Sequence, residues 1–185
     1  MAVPLSLAFL LSWVVSGVQA EQQQTGTHET TISAFNDRVK QYIKLRGKVE
    51  EQLPKLSDKS QPPEIETHKA VLQANIITAR SGAKSGDIFT TDIANHIRGV
   101  IKQEFTGKRL NELRESVKEA QTKGVPLRVN VPYPETKELI EMPPTLLLKL
   151  PALPKQLHYR FVGRSMLLLD KEARLIVDIL PNALP

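Results

Sequence analysis

The chain contains no cysteine, and that absence closes off several chemistries at once. Without a thiol there is no thiolate nucleophile, no cysteine-bound zinc, no iron–sulfur cluster, no c-type haem attachment and no disulfide. The fold therefore rests on apolar burial. No Asn-x-Ser/Thr sequon occurs either, which together with the missing disulfides fits a bacterial rather than a eukaryotic secretory origin. Aromatic residues make up 5% of the chain, too few for the interleaved basic and aromatic surface of a nucleic-acid binder. Gly82 and Gly86 lack the Lys-Ser/Thr that would follow in a phosphate-cradling loop. The last absence is local: residues 1–20 carry no charged side chain at all.

That uncharged stretch has the layout of a cleavable export signal. An apolar core, Leu5–Val15, is broken in front by Pro4 and followed by Gly17-Val18-Gln19-Ala20, after which the sequence turns polar at Glu21-Gln22-Gln23-Gln24. Small residues three and one before a polar start predict cleavage between Ala20 and Glu21 and a periplasmic or secreted product. A retained anchor, the alternative reading, would need about 20 predominantly apolar residues with polar anchors at both ends, and no stable membrane span is expected once the segment is cleaved. The segment has no Lys or Arg ahead of the core, a departure that a start codon upstream would explain. No cysteine follows Ala20, so lipid attachment there is excluded.

Beyond that segment the composition is ordinary for a globular protein, with 41% hydrophobic and 24% charged residues. The formal charge of +5 is unevenly placed. Residues 21–120 hold 16 basic and 14 acidic side chains, whereas residues 121–185 hold 9 and 6. An exported protein with a basic C-terminal half is suited to anionic envelope polymers or lipid head groups. The residues that would carry such a contact are Arg128, Lys155, Arg160 and Arg164. A solvated surface of mixed charge is the competing reading.

Periodicity divides the chain. Residues 21–30 are Gln- and Thr-rich and read as a disordered leader. Ile32, Phe35, Val39, Tyr42, Leu45, Val49 and Leu53 then recur at helical spacing, with Arg38, Lys44 and Arg46 among the charges assigned to the opposite face, and Pro54 ends the run. The same stripe suits packing on other helices or pairing with a second copy, so a homo-oligomer stays open. A second helix starts at Pro63, with Glu64 and Glu66 in its first turn. A third follows Thr90-Thr91, and a fourth runs from about Lys108 to Lys123, closed by Gly124. Past Gly124 the texture changes, and nine of the thirteen prolines fall at 126 or later. Leu157–Val162, Ser165–Leu169 and Arg174–Leu180 alternate as short strands joined by tight turns, with Leu127–Val131 as a further strand and Thr145–Leu150 as an extended apolar run. Such a run could pair with an open sheet edge, its own or a partner's. The predicted architecture is α+β: about four helices over 31–124, then a small antiparallel β-meander within a proline-rich part, 125–185, in one domain or two.

The string Pro143-Pro144-Thr145-Leu146-Leu147-Leu148-Lys149-Leu150-Pro151-Ala152-Leu153-Pro154, with Tyr159-Arg160-Phe161-Val162-Gly163-Arg164 and Leu175-Ile176-Val177-Asp178, resembles a group of exported bacterial proteins of uncharacterised function. The Gly86-Asp87-Ile88-Phe89-Thr90 and Phe35-Asn36-Asp37-Arg38-Val39 segments are similar to that group too. The resemblance implies an envelope location and a shared fold. It carries no catalytic residue and no cofactor.

Candidate chemistry is sparse. Glu64 and His68, and Asp92 and His96, are each four apart on a predicted helix, so each pair shares a face. Side-by-side helices would converge them into a zinc or iron site for a metal-dependent hydrolase. First-turn acids that complement helix dipoles are the simpler account. Gly163-Arg164-Ser165-Met166 lacks the second glycine of a nucleophile elbow, and Asp170, Glu172 and Asp178 do not follow the spacing of a calcium loop. The expectation is an exported, non-enzymatic bacterial envelope protein that binds a macromolecular partner or an anionic polymer. The alternatives are the hydrolase and a small-ligand carrier.

Overall fold

The computed structural model describes residues 15–120, 122–138 and 140–185. Four helices, α1 (Val15–Glu50), α2 (Pro62–Ala79), α3 (Thr91–Glu104) and α4 (Gly107–Glu119), precede a one-turn helix α5 (Pro144–Leu147) and three strands, β1 (Leu157–Val162), β2 (Ser165–Asp170) and β3 (Leu175–Leu180). The strands form one antiparallel sheet in the order β1-β2-β3. The predicted α+β order of helices followed by a β-meander is the observed one. Of the export segment, residues 1–14 lie outside the described residues.

α1 differs from its predicted bounds. It takes in residues 21–30, which the sequence assigns to a disordered leader. Gln and Glu are good helix formers, and extending a helix that the 35–49 stripe already nucleates adds one hydrogen bond per residue fixed. A second correction concerns its inner face. Phe35, Val39, Tyr42 and Val49 are buried as expected, but the buried residue between Tyr42 and Val49 is Arg46, at 3% exposure. The stripe thus steps 35, 39, 42, 46, 49, a regular alternation of fours and threes that leaves Leu45 only half-buried.

α2 opens with Pro62 and Pro63, whose absent N–H groups would have lacked helical partners anyway, and the Glu64 carboxylate accepts the Gln61 N–H at 3.0 Å. α4 stops at Glu119, four residues short of the predicted Lys123, because Ala120 is already extended. Thr145–Leu150 is the larger miss. It is not extended: Pro144 starts a helical turn in which Leu146 and Leu150 are buried. An unbroken leucine run has no period to separate helix from strand, and leucine prefers helix.

The sheet is covered on both faces. Leu157, Tyr159, Phe161, Met166, Leu168, Leu175, Val177 and Leu180 join the helical side chains in one continuous core that includes Phe35, Leu72, Ile76, Ile93 and Ile97. Val162, Leu167, Leu169, Ile176 and Ile179 pack instead against Val125, Val129, Val131 and Tyr133. Double coverage explains why β2 reads as an uninterrupted apolar run, since neither face needs polar residues. Both edges are occupied too. Residues 130–133 follow β3 through Asn130 N–H to Ile176 O at 2.8 Å, Ile176 N–H to Val131 O at 3.0 Å and Tyr133 N–H to Arg174 O at 2.6 Å. The predicted strand Leu127–Val131 is therefore reduced to a bridge at Pro132, because the prolines around it remove ladder donors. Ile140 bridges Phe161 on the β1 edge.

Candidate anion-binding site

Two buried aspartates fasten the sheet to the helices. Asp170, at the end of β2, accepts four hydrogen bonds: Tyr42 Oη at 2.8 Å, Arg46 Nε at 2.9 Å, and the Glu172 and Ala173 N–H groups at 3.1 and 2.9 Å. Arg46 also pairs with Glu50 at 2.5 Å and with Glu172. Burial, then the Asp170 carboxylate, push the Tyr42 phenol far above its ordinary range, so it stays a donor. Asp178 on β3 is fully buried and accepts the N–H groups of Gly86, Ile88, Phe89 and Ile179 at 2.7–2.9 Å. With four donors each, these carboxylates are satisfied inside the fold. That gives Asp170, Glu172 and Asp178 structural work.

The four residues considered for a metal do not converge. Glu64 caps α2 and, together with His68, lines a groove of about 480 Å³ whose walls include Leu53, Leu56 and Val71. Asp92 is exposed on the first turn of α3. His96 packs edge-on against His28 of α1, ring centroids 4.4 Å apart, and burial, then His28, lower its pKa. α1 packs against both α2 and α3. Among the described residues no three His, Asp or Glu side chains stand close enough to hold a metal ion. Ser165, in the β1–β2 hairpin, is buried.

The basic set predicted for partner binding also separates. Arg128 and Lys155 are exposed. Arg164 donates from Nε to Leu184 O at 3.2 Å, which ties down the C-terminal tail. Only Arg160 belongs to a wider cationic group. On β1 it pairs across with Leu167, as His158 does with Leu169, so both lie on the second face of the sheet. Lys171 and Arg174, in the turn between β2 and β3, reach the same end. His158 records their convergence: burial first, then Arg160, Lys171 and Arg174, bring its pKa down to about 3, so at neutral pH it is an uncharged imidazole among three cations.

None of those three cations has a carboxylate within ion-pair distance among the described residues. Arg160 donates from Nη1 to Tyr159 O, and Arg174 from Nη2 to Pro134 O, while the Nε of each is buried without a partner. Lys171 and Arg174 also line a polar groove of about 390 Å³ against α2. In it Lys69 is paired with Glu66 at 2.7 Å and Glu172 with Arg46, leaving Glu135 as the acid opposite the two cations. Arg174 holds this position at φ 45°, a left-handed conformation that costs an ordinary residue about 1 kcal/mol or more. Three cations outside any ion pair, grouped beside a neutral imidazole, suit an anionic group.

Sequence reasoning named Arg160 as a contact residue but not Lys171, which reads as a turn residue, or Arg174, which reads as the start of a strand. Compared with protein-family models, curated proteins and solved structures, the chain matches none.

Proposed function

We propose that this is an exported bacterial envelope protein, a binding protein rather than an enzyme, which holds an anionic envelope polymer at the cationic end of its sheet. The export reading rests on the uncharged start and the Ala20-Glu21 boundary. The binding reading rests on one observation above all: Arg160, Lys171 and Arg174 surround neutral His158, and none of them is in an ion pair among the described residues. The test is retention on an immobilised phosphate-rich polysaccharide at low salt. Replacing Arg160, Lys171 and Arg174 with glutamine is expected to abolish retention, whereas replacing Arg128 and Lys155 leaves most of it. Salt should elute the protein, because exposed charges lose reach as the Debye length falls to about 8 Å at physiological ionic strength. Full retention by the triple variant refutes the site.

The groove at His68 favours a second reading, a carrier of a small apolar ligand, because its volume falls within the range of small-molecule pockets, about 300–1,000 Å³, and its walls are largely apolar. Val71→Lys should abolish uptake of a hydrophobic dye if that reading holds.

A further inference from the structure

The most exposed large apolar side chain among the described residues is Leu148, at 88%, and its neighbour Leu147 is 45% exposed. They are held out firmly. Leu146 and Leu150, on either side, are buried in the core, and α5 packs against α3. Lys149 binds Glu104 at 2.5 Å, and Arg109 binds the same carboxylate at 2.7 Å, with Thr145 as a further hydrogen-bond partner. Burying two leucines would be worth far more than leaving them in water, so their fixed exposure calls for a medium that takes them.

The backbone of the turn points to the medium. Pro143, Pro144 and Pro151 have no N–H, and the N–H groups of Leu146, Leu147, Leu148, Lys149 and Leu150 all donate to carbonyls of residues 143–146. A turn whose backbone donors are already bonded within it loses little on moving from water to the head-group boundary. The charge beside the knuckle is complementary to an anionic head group, since two cations share the single carboxylate of Glu104. We infer that the Leu147–Leu148 knuckle docks this protein on the surface of an anionic lipid bilayer, the two leucines entering the head-group boundary while Lys149 and Arg109 stay at phosphate level. This is peripheral contact: among the described residues no helix is long and apolar enough to cross a membrane. It is independent of the polymer site.

Because the chain has no cysteine, Leu148→Cys provides a unique labelling position in the full-length protein. A bimane fluorophore placed there should be quenched by acyl-brominated lipid in phosphatidylcholine vesicles containing phosphatidylglycerol. A label at Ser81→Cys, on the α2–α3 connection, should not be. Adding Leu147→Ser should weaken vesicle affinity about tenfold, the transfer value of one leucine, with an unchanged thermal melt because the side chain is half-exposed. Lys149→Gln should weaken binding to anionic vesicles further at low salt. Vesicle-bound protein whose label at 148 stays unquenched overturns the inference. Equal quenching by vesicles without phosphatidylglycerol overturns the anionic requirement, and shielding of the label by added protein in the absence of vesicles replaces the lipid with a second copy.

Discussion

The Arg46–Asp170 pair offers the sharpest test of how the two parts of the chain are joined. Both side chains are buried, at 3% and 0% exposure, and they are separated by 124 residues. Arg46→Met keeps length and apolar stem but leaves the Asp170 carboxylate without its cation. Removing one member of a buried pair costs about 3–5 kcal/mol. Two features place this case at the low end. Asp170 keeps Tyr42 and two backbone N–H groups, and the other partners of Arg46, Glu50 and Glu172, are 45% and 35% exposed, so each of those pairs is worth about 0–1 kcal/mol. The expected loss is about 3 kcal/mol, which for a chain of this size lowers Tm by about 6–12 °C. Asp170→Asn should cost about as much, because its amide NH₂ meets donors. The double variant Arg46→Met/Asp170→Asn should be less unstable than the sum of the two by about 1–3 kcal/mol, since neither charge is then stranded. Urea unfolding followed by far-UV circular dichroism measures all four proteins. Additive losses, or a neutral Arg46→Met, would refute the assignment of this pair as the link.

The remaining predictions concern pH and backbone. His158 has its pKa lowered to about 3 in the folded protein against about 6.5 unfolded, so between those values the unfolded state binds the extra proton and stability falls as pH drops. His158→Gln should flatten that part of the stability–pH curve, and a folded-state NMR titration showing protonation near pH 6.5 would contradict the burial argument. Glu104 has its pKa lowered to about 2 by hydrogen bonds to Lys149 and then Arg109, so its contribution is present above its ordinary value of 4.5 and is lost as pH falls toward 2. Glu104→Gln should remove that acid-side loss, and an unaltered acid limb would show that the network is inert. Gly86 stands at φ +91°, with room for a Cβ whose nearest neighbour is Phe89 O at 3.8 Å, so Gly86→Ala tests backbone conformation rather than packing. The expected cost is about 1–2 kcal/mol by thermal unfolding, and a neutral outcome would mean that the loop presenting N–H groups to Asp178 tolerates another geometry.

Much of this fold is legible in the residues, and the parts that are not share a cause. Gly163-Arg164 and Asp170–Ala173 mark the two hairpin turns, and the runs between them match β1, β2 and β3 to within a residue. These are local signals. Arg46 is different: its position on the 35–49 stripe is legible from spacing alone, but a charged residue is assigned outward unless its partner is known, and that partner, Asp170, lies at the end of β2, 124 residues away. Asp178 is similar, because its donors come from the Gly86–Phe89 loop. α5 escaped for another reason, since Leu146–Leu148 offers no periodicity and only the burial of Leu146 and Leu150 shows which side faces in. The proposed anion site combines both problems: Arg160, Lys171 and Arg174 are spaced along the chain and come to one end of the sheet only once β1 has paired with β2.

The basic excess itself must be divided before it can be assigned to function. Several arginines donate to backbone carbonyls of distant segments: Arg38 to Asp87 O, Arg80 to Val177 O, Arg98 to Pro181 O and Asn182 O, Arg114 to Pro185 O and Arg164 to Leu184 O. Three of these hold the C-terminal tail, residues 181–185, against α3, α4 and the β1–β2 turn. A guanidinium suits that work because its planar fork offers several donors to carbonyls that no strand pairs. Charge counted along the sequence therefore overstates the charge offered to a partner, and Arg164 is the clear case, a predicted contact residue whose Nε is occupied by the tail. What sets Arg160 and Arg174 apart is their grouping, with Lys171, around His158; a buried guanidinium nitrogen without a partner they share with Arg80. A buried donor left unsatisfied costs about 1–3 kcal/mol wherever in the fold it stands. The same reasoning ranks the cations: Arg98, Arg114 and Arg164, which clamp the tail, should matter to stability and little to binding, whereas replacing Arg160, Lys171 and Arg174 should weaken binding.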